Sequence, residues 1–367
     1  MVLCAEIGKN SITVERINMK TSMIYAPVII PTLCRAEKLK DCIESLQRNH
    51  YAQYTELYIS LDYPPNESYR QGYEQVKEYL GRGIEGFSRV EILEQKSNQG
   101  WHGNYDLLRK KVYEKHNCYI FSEDDNVFSR NFLEYMDRCL TEFEQDEEIL
   151  AVTGYSYPID WMSGNNNVVK IDTYFAAWGF GIWREKEEKM LRAINLQNFE
   201  GFVKNGSAMR KLYCAGRNQY CNFIKGMIEY TDMLIEDGQV LALDLSFALY
   251  QIFYGKYMIF PTVSKVRNMG YGEGGVHCGE LIIKEGKPLQ HRNYPYAYQP
   301  IDESDKFGHI VYNRRDDGKC YHECMENFFT ISSRELIFSK LAAMICRLGG
   351  RKYLTTLVRR LRKVNRL

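Results

Sequence analysis

The chain has 367 residues, 45% apolar and 26% charged, with a net charge of +1, the balance of a water-soluble globular protein of one large or two ordinary domains. No stretch approaches ~18 continuous apolar residues, and the opening MVLCAEIGKNSITVERINMK holds no apolar run of signal length, so neither a membrane span nor a secretory signal is expected. Its 11 cysteines form no CxxC pair and no regular spacing; they read as reduced thiols, and the expected location is cytoplasmic.

Residues 1–25 read as an N-terminal extension, and from residue 26 short apolar runs alternate with helical patterns. APVIIP (26–31) reads as a strand, and AEKLKDCIESLQRN (36–49) places Leu39, Cys42, Ile43 and Leu46 on one helical face. ELYISLD (56–62) is a second strand closed by the turn residues YPPNES, and SYRQGYEQVKEYLG (68–81) a second helix. VEILEQ (90–95), a helix over 104–116, CYIF (118–121), a helix over 131–146 and ILAVTGY (149–155) continue the alternation. Such a series predicts an α/β fold with a mainly parallel sheet flanked by helices. Ligands of such sheets bind beyond the carboxyl ends of the strands. Thr32–Arg35, Asp62 and Glu123–Asp125 all fall there and are expected to share one crevice.

Beyond residue 155 the alternation weakens. TYFAAWGFGIWR (173–184) is aromatic and glycine-rich, a helix is expected over 241–255, MIFPTVSKV (258–266) reads as a late strand, and 269–280 as a glycine-rich loop. Residues 285–320 are polar, with little periodic signal. Residues 334–367 hold ten Lys/Arg against the single acid Glu335, with apolar clusters between them and a break at Gly349-Gly350. That pattern predicts a basic amphipathic tail helix on an anionic membrane surface, and no recognition motif points to nucleic acid.

The triplet Glu123-Asp124-Asp125 raises the central chemical question, because adjacent acids repel one another. Neighbouring strand side chains point to opposite faces, which makes a poor acid/base pair. A hard divalent cation such as Mg²⁺ or Mn²⁺, sharing its coordination between carboxylates and substrate phosphates, suits them better.

VIIPTLCRAEKLKDCIESL, ELYISLD and GNYDLLRKKVYEKHNCYIFSEDDNVFSRNFLEYM, in that order, resemble the nucleotide-sugar half of GT-A fold inverting glycosyltransferases. The segment is similar to family-2 glycosyltransferases of polysaccharide biosynthesis and to the N-acetylglucosaminyltransferase I type. The resemblance implies a Rossmann-like nucleotide-sugar-binding half over 26–155 and an acceptor and catalytic half over 156–330; the charge pattern sets off the tail over 331–367. It implies that Arg35 approaches the nucleotide phosphates, that Asp62 accepts from the uracil ring, and that the triplet is a DXD-type motif. Asp125 would hold the metal, with Asp124 and Glu123 facing ribose and sugar. Asp244 would be the general base, with Glu236 and Asp237 in reserve; His277 would reach the metal, and Arg267, Gly274 and Gly275 the phosphate. Trp178 and Trp183 would line the sugar.

The expected activity is therefore Mn²⁺- or Mg²⁺-dependent transfer of a sugar, N-acetylglucosamine among the candidates, from a UDP-sugar to a glycan or lipid-linked acceptor. The enzyme would sit peripherally at the inner membrane face. The alternatives are a non-catalytic nucleotide-sugar-binding subunit and a sugar-phosphate nucleotidyltransferase. The latter needs a glycine-rich basic loop after the first strand, where PTLCRAEK offers one Arg and no Gly.

Overall fold

The computed structural model describes residues 22–161, 163–195, 201–229, 243–270, 300–312 and 321–364, with two residue pairs at 283–284 and 287–288. Strands β1 (Val28–Thr32), β2 (Glu56–Leu61), β3 (Arg89–Glu94) and β4 (Cys118–Phe121) lie side by side in the order β3-β2-β1-β4, all parallel. Every residue of β1 and β4 is buried, as the uninterrupted apolar runs require of strands covered on both faces. Helices α1 (Ala36–Gln47), α2 (Arg70–Gly81) and α3 (Gly100–Val112) make the crossovers. Helix α1 buries Leu39, Cys42, Ile43 and Leu46, the four residues its spacing singles out.

The sheet then changes character. After the short β5 (Asn126–Phe128) and helix α4 (Phe132–Glu142) come β6 (Ile149–Thr153), β7 (Val168–Ile171), β8 (Phe180–Trp183) and β9 (Tyr257–Pro261). The full order is β3-β2-β1-β4-β8-β6-β9-β7, with β8 antiparallel to both of its neighbours and β7 antiparallel at the edge. The sheet is thus mixed, parallel throughout its first half and antiparallel in its second except for the parallel pair β6 and β9. The late run expected as one strand divides into β9 and β10 (Val266–Asn268), because β10 leaves the main sheet to pair antiparallel with β5.

Sequence reading assigned no helices between β8 and residue 241, and the structure has α5 (Arg184–Ala193), α6 (Gly206–Ala215) and α7 (Arg217–Glu229) there. Tyr220, Phe223, Ile224, Met227 and Ile228 are buried along α7 at helical spacing. Helix α8 (Leu243–Tyr254) follows, then α9 (His322–Phe328), α10 (Ser333–Arg347) and α11 (Arg351–Val364). The expected tail helix is two helices separated at Gly349-Gly350, and both pack against α7. No described helix is long and apolar enough to cross a membrane.

The polar stretch 300–312 has no regular element, yet it lies across α4. Its Asp302 pairs with Lys265, and Phe307 meets the Tyr135 ring at 5.0 Å.

Candidate active site

Strand β4 ends at Phe121, and the chain turns through Ser122–Asp125 before β5 begins. The acids therefore sit in a turn rather than on a strand, so the alternation argument does not separate them. The turn is anchored to the sheet through Ser122 N–H donating to Ile29 O at 3.0 Å. The Ser122 hydroxyl donates to Glu123 O at 2.7 Å.

Three strand ends meet here. Thr32, last residue of β1, donates its hydroxyl to Asp124 Oδ2 at 2.8 Å, and its carbonyl accepts from Asp62 N–H at 2.9 Å. Arg35, three residues on, donates Nη1 to Asp125 Oδ2 at 2.6 Å and Nη2 to Asp124. One guanidinium thus bridges two carboxylates that are only 4% and 5% exposed. Its own burial favours the neutral form, but the two acids overcome that and hold it firmly protonated.

The β5–β10 ribbon closes the other side. Asn268 donates Nδ2 to Asp125 Oδ1 at 2.7 Å and to Glu123 Oε2 at 3.2 Å, while Met269 N–H donates to the Asp125 carbonyl at 2.7 Å. Gly270 lies so close that a Cβ there would stand 2.2 Å from Asp125 Oδ2. Sequence reading does not single out Asn268, between the expected strand end at Val266 and the glycine-rich loop from 269, or Gly270 within that loop; of this stretch it names only Arg267. Trp178 does belong to the cluster: its indole N–H donates to the Glu123 carboxylate, and its ring meets Tyr155 at 4.9 Å. Burial, then the charges of Asp125 and Asp124, push Glu123 up to about 8. Asp124 is also raised by burial, against the opposing pull of Arg35.

Asp62 ends up beside the cluster and already engaged. Oδ1 accepts from Tyr63 N–H at 2.9 Å and Gln99 N–H at 2.8 Å, and Oδ2 from Asn98 Nδ2 at 3.1 Å. Burial raises its pKa against those hydrogen bonds. The same contacts fix the loop that opens α3, whose first turn therefore starts at Gly100 rather than 104.

Arg267, half-buried, lies on β10 opposite Val127 of β5. Asp244 is exposed in the first turn of α8. One turn on, Phe247 stacks on Phe175 at 4.0 Å and meets Phe180 at 5.4 Å, and Phe180 meets Phe121 at the end of β4. That row of rings ties the start of α8 to the strand end carrying the acids. Trp183 does not line the site: it is 4% exposed, donates Nε1 to Leu140 O and lies under the Lys186 ammonium. His277, Gly274, Gly275, Glu236 and Asp237 lie outside the described residues.

Among the described residues no three His, Cys, Asp or Glu side chains are gathered as a complete metal site. The donor set that is present, the Asp124 and Asp125 carboxylates with Glu123 beside them, is all oxygen, which fits a hard divalent cation completing its shell with phosphate oxygens and water.

Residues 28–206 match the family model described as glycosyl transferase family 2. A comparison with curated proteins found no match. Among solved structures, the chain is similar to TarS of S. aureus at 14% identity and a TM-score of 0.28, covering 35% of this chain and 21% of that one. It is also similar to the mannosyltransferase PcManGT of Pyrobaculum calidifontis, in complex with GDP-Man and Mn²⁺, at 12% identity and a TM-score of 0.31. There the match covers 45% of this chain and 46% of that one, so this chain spans less than half the length of either structure. None of the comparisons points specifically to the N-acetylglucosaminyltransferase I type.

Proposed function

From the match of residues 28–206 to the glycosyl transferase family 2 model, we propose that the chain is a metal-dependent inverting glycosyltransferase. It would move a sugar from a UDP-sugar to a glycan or lipid-linked acceptor in polysaccharide assembly. The observation that carries this reading is the convergence of Thr32, Arg35 and Asp62 on the buried turn of Asp124 and Asp125.

In this reading the acceptor hydroxyl oxygen attacks the anomeric carbon as the bond to the diphosphate breaks, and Asp244 takes the hydroxyl proton. The electron pair of the broken bond leaves on the diphosphate. Asp125, aided by Asp124, would hold Mn²⁺ or Mg²⁺, which supplies Lewis-acid stabilisation of the leaving group when bound. Arg35 turns from the carboxylates toward the phosphates, a planar fork suited to anionic oxygens. Arg267 supports the same anion from β10, and His277 joins the metal or diphosphate side. Asp62 accepts from the base, with Asn98 and Gln99 holding its orientation, and Trp178 and Glu123 face the sugar. The chain works in the cytoplasm, peripherally at the inner membrane face.

Calorimetric titration with UDP, GDP and CMP, each with and without Mn²⁺, on wild type and Asp125→Ala tests this. Metal-dependent UDP binding that the substitution abolishes is the expected result. Absence of nucleotide binding under every metal condition would overturn the proposal. Binding without donor turnover, with no partner protein present, would leave the non-catalytic subunit reading in its place.

A further inference from the structure

Helix α10 is turned inside out by side-chain size. The residues it buries are small: Ser339, Ala342, Ala343 and Cys346 are each at most 5% exposed. Leu336 and Ile345 lie half-buried against the core, but most large apolar side chains on α10 and at its C-cap stand in solvent, with Ile337 at 59%, Leu341 at 52%, Met344 at 53% and Leu348 at 82% exposed. These four recur at i, i+4, i+7 and i+11, which makes one continuous stripe along the helix. Phe338 widens the stripe, and Tyr353 and Leu357, one turn apart on α11, add to the apolar surface. Seven of the fifteen exposed large apolar residues among those described fall between 337 and 357. Single exposed apolar residues are ordinary, but a concentration of this kind marks a contact surface.

Charge identifies the occupant. Arg334, Lys340, Arg347 and Lys352 are exposed along the same two helices, and residues 334–367 contain only one acid. A second copy of the chain would bring cations against cations. Nucleic acid would meet the charge and leave the apolar stripe in water. An anionic lipid surface satisfies both features, taking the apolar side chains at the acyl boundary and the ammonium and guanidinium groups among its headgroups.

We infer that the exposed stripe of α10, with Tyr353 and Leu357 of α11, is a bilayer-docking face that seats this protein on anionic membrane. The inference rests on the peripheral-membrane reading above and specifies its surface: a ridge on folded helices held against α7, rather than a free tail.

The test is co-sedimentation of the full chain with vesicles of equimolar phosphatidylglycerol and phosphatidylcholine, and with phosphatidylcholine alone. Wild type is expected to pellet with the mixed vesicles and more weakly with the zwitterionic ones. High salt should reduce the binding without abolishing it, because part of it is apolar. Leu341→Glu/Leu348→Glu, both at open positions, should keep the wild-type Tm and lose at least about tenfold in partitioning. Wild type remaining in the supernatant with mixed vesicles, or equal binding by the variant, would overturn the inference. So would a wild-type dimer that the variant converts to monomer while neither touches lipid. UDP titration of the same samples keeps the two readings apart, since nucleotide binding does not require the ridge and vesicle binding does not require the acidic turn.

Discussion

Gly270→Ala is the most informative single change at the acidic turn, because it alters no charge. The added Cβ would stand 2.2 Å from Asp125 Oδ2, 2.9 Å from its Cγ and 3.0 Å from Asn268 Oδ1, so something must move. Asp125 has little freedom to yield: Asn268 holds Oδ1 at 2.7 Å and Arg35 holds Oδ2 at 2.6 Å. Gly270 N–H itself donates to Asn268 Oδ1 at 2.9 Å, so shifting the loop breaks that contact instead. Overpacking of this kind costs about 1–3 kcal/mol. Displacing the carboxylate sacrifices a charge-assisted hydrogen bond of similar size. Thermal unfolding should show a Tm several degrees lower, and Mn²⁺-dependent UDP affinity should fall at least about tenfold, since a 1 Å misplacement of a positioned group costs that much or more. Gly81→Ala, whose Cβ would meet nothing within 4 Å at the end of a helix, serves as the control: it should leave UDP affinity unchanged and should not lower the Tm. Wild-type Tm and wild-type UDP affinity in Gly270→Ala would refute the packing of β10 against the turn.

Three further outcomes are expected. If Asp244 is the general base as proposed, Asp244→Asn should lower kcat by about 10²–10⁴ while leaving UDP affinity intact, because such a base contributes to the chemical step alone; parallel kinetics and calorimetry check this. Glu187 is fully buried and accepts from Tyr105, Tyr113, Tyr119 and Arg109; Arg109 keeps Asp106, but Glu187→Ala takes the shared acceptor from three buried tyrosine hydroxyls and, in urea unfolding, should cost about 1–3 kcal/mol for each one stranded. Burial would raise the Asp302 carboxyl, but Lys265, Asn131 and Ser304 N–H outweigh it and hold it at about 2. A depressed carboxyl stabilises the fold above its unfolded pKa, and that stability is lost as pH falls from about 4 toward 2. Discounted for solvent screening, the contribution is about 1 kcal/mol, and Asp302→Asn should flatten that part of the stability–pH curve.

The first half of the molecule was legible because its signals are local. The runs that became β1 and β4 are almost wholly apolar, and the spacing in α1 marks the four apolar residues it buries. Convergence of the strand-end polar residues followed from topology alone. What escaped depends on contacts distant in sequence. Helix α3 starts four residues early because Asp62, 37 positions before Gln99, accepts its N–H. The FGIW stretch reads only as aromatic and glycine-rich, with no element assigned, but it is a central strand in which Gly181 gives room to α4, where a Cβ would meet Met136 Cε at 2.9 Å. Residues 300–312 look featureless because their order comes from partners such as Lys265 and Tyr135. The pattern in α7, by contrast, was present in the sequence, and its buried residues follow helical spacing.

If the proposed reading holds, the charge balance of the turn requires metal dependence and nucleotide binding to stand or fall together. Three carboxylates face one guanidinium, and burial raises both Glu123 and Asp124. A diphosphate entering alone would bring further negative charge into a place that already disfavours it. Arg35 cannot resolve this by itself, because turning toward phosphate leaves Asp124 and Asp125 without the cation that now bridges them. In the proposed reading a divalent cation would relieve both difficulties, with Asp124 and Asp125 holding it in place of Arg35 and phosphate oxygens completing its shell. Arg35→Ala should therefore bind Mn²⁺ at least as well as wild type in the absence of nucleotide, yet bind UDP with Mn²⁺ about tenfold or more weakly. Manganese affinity read by electron paramagnetic resonance, beside the UDP titration, separates the two effects. Loss of both affinities to the same extent would mean that Arg35 only holds the turn together.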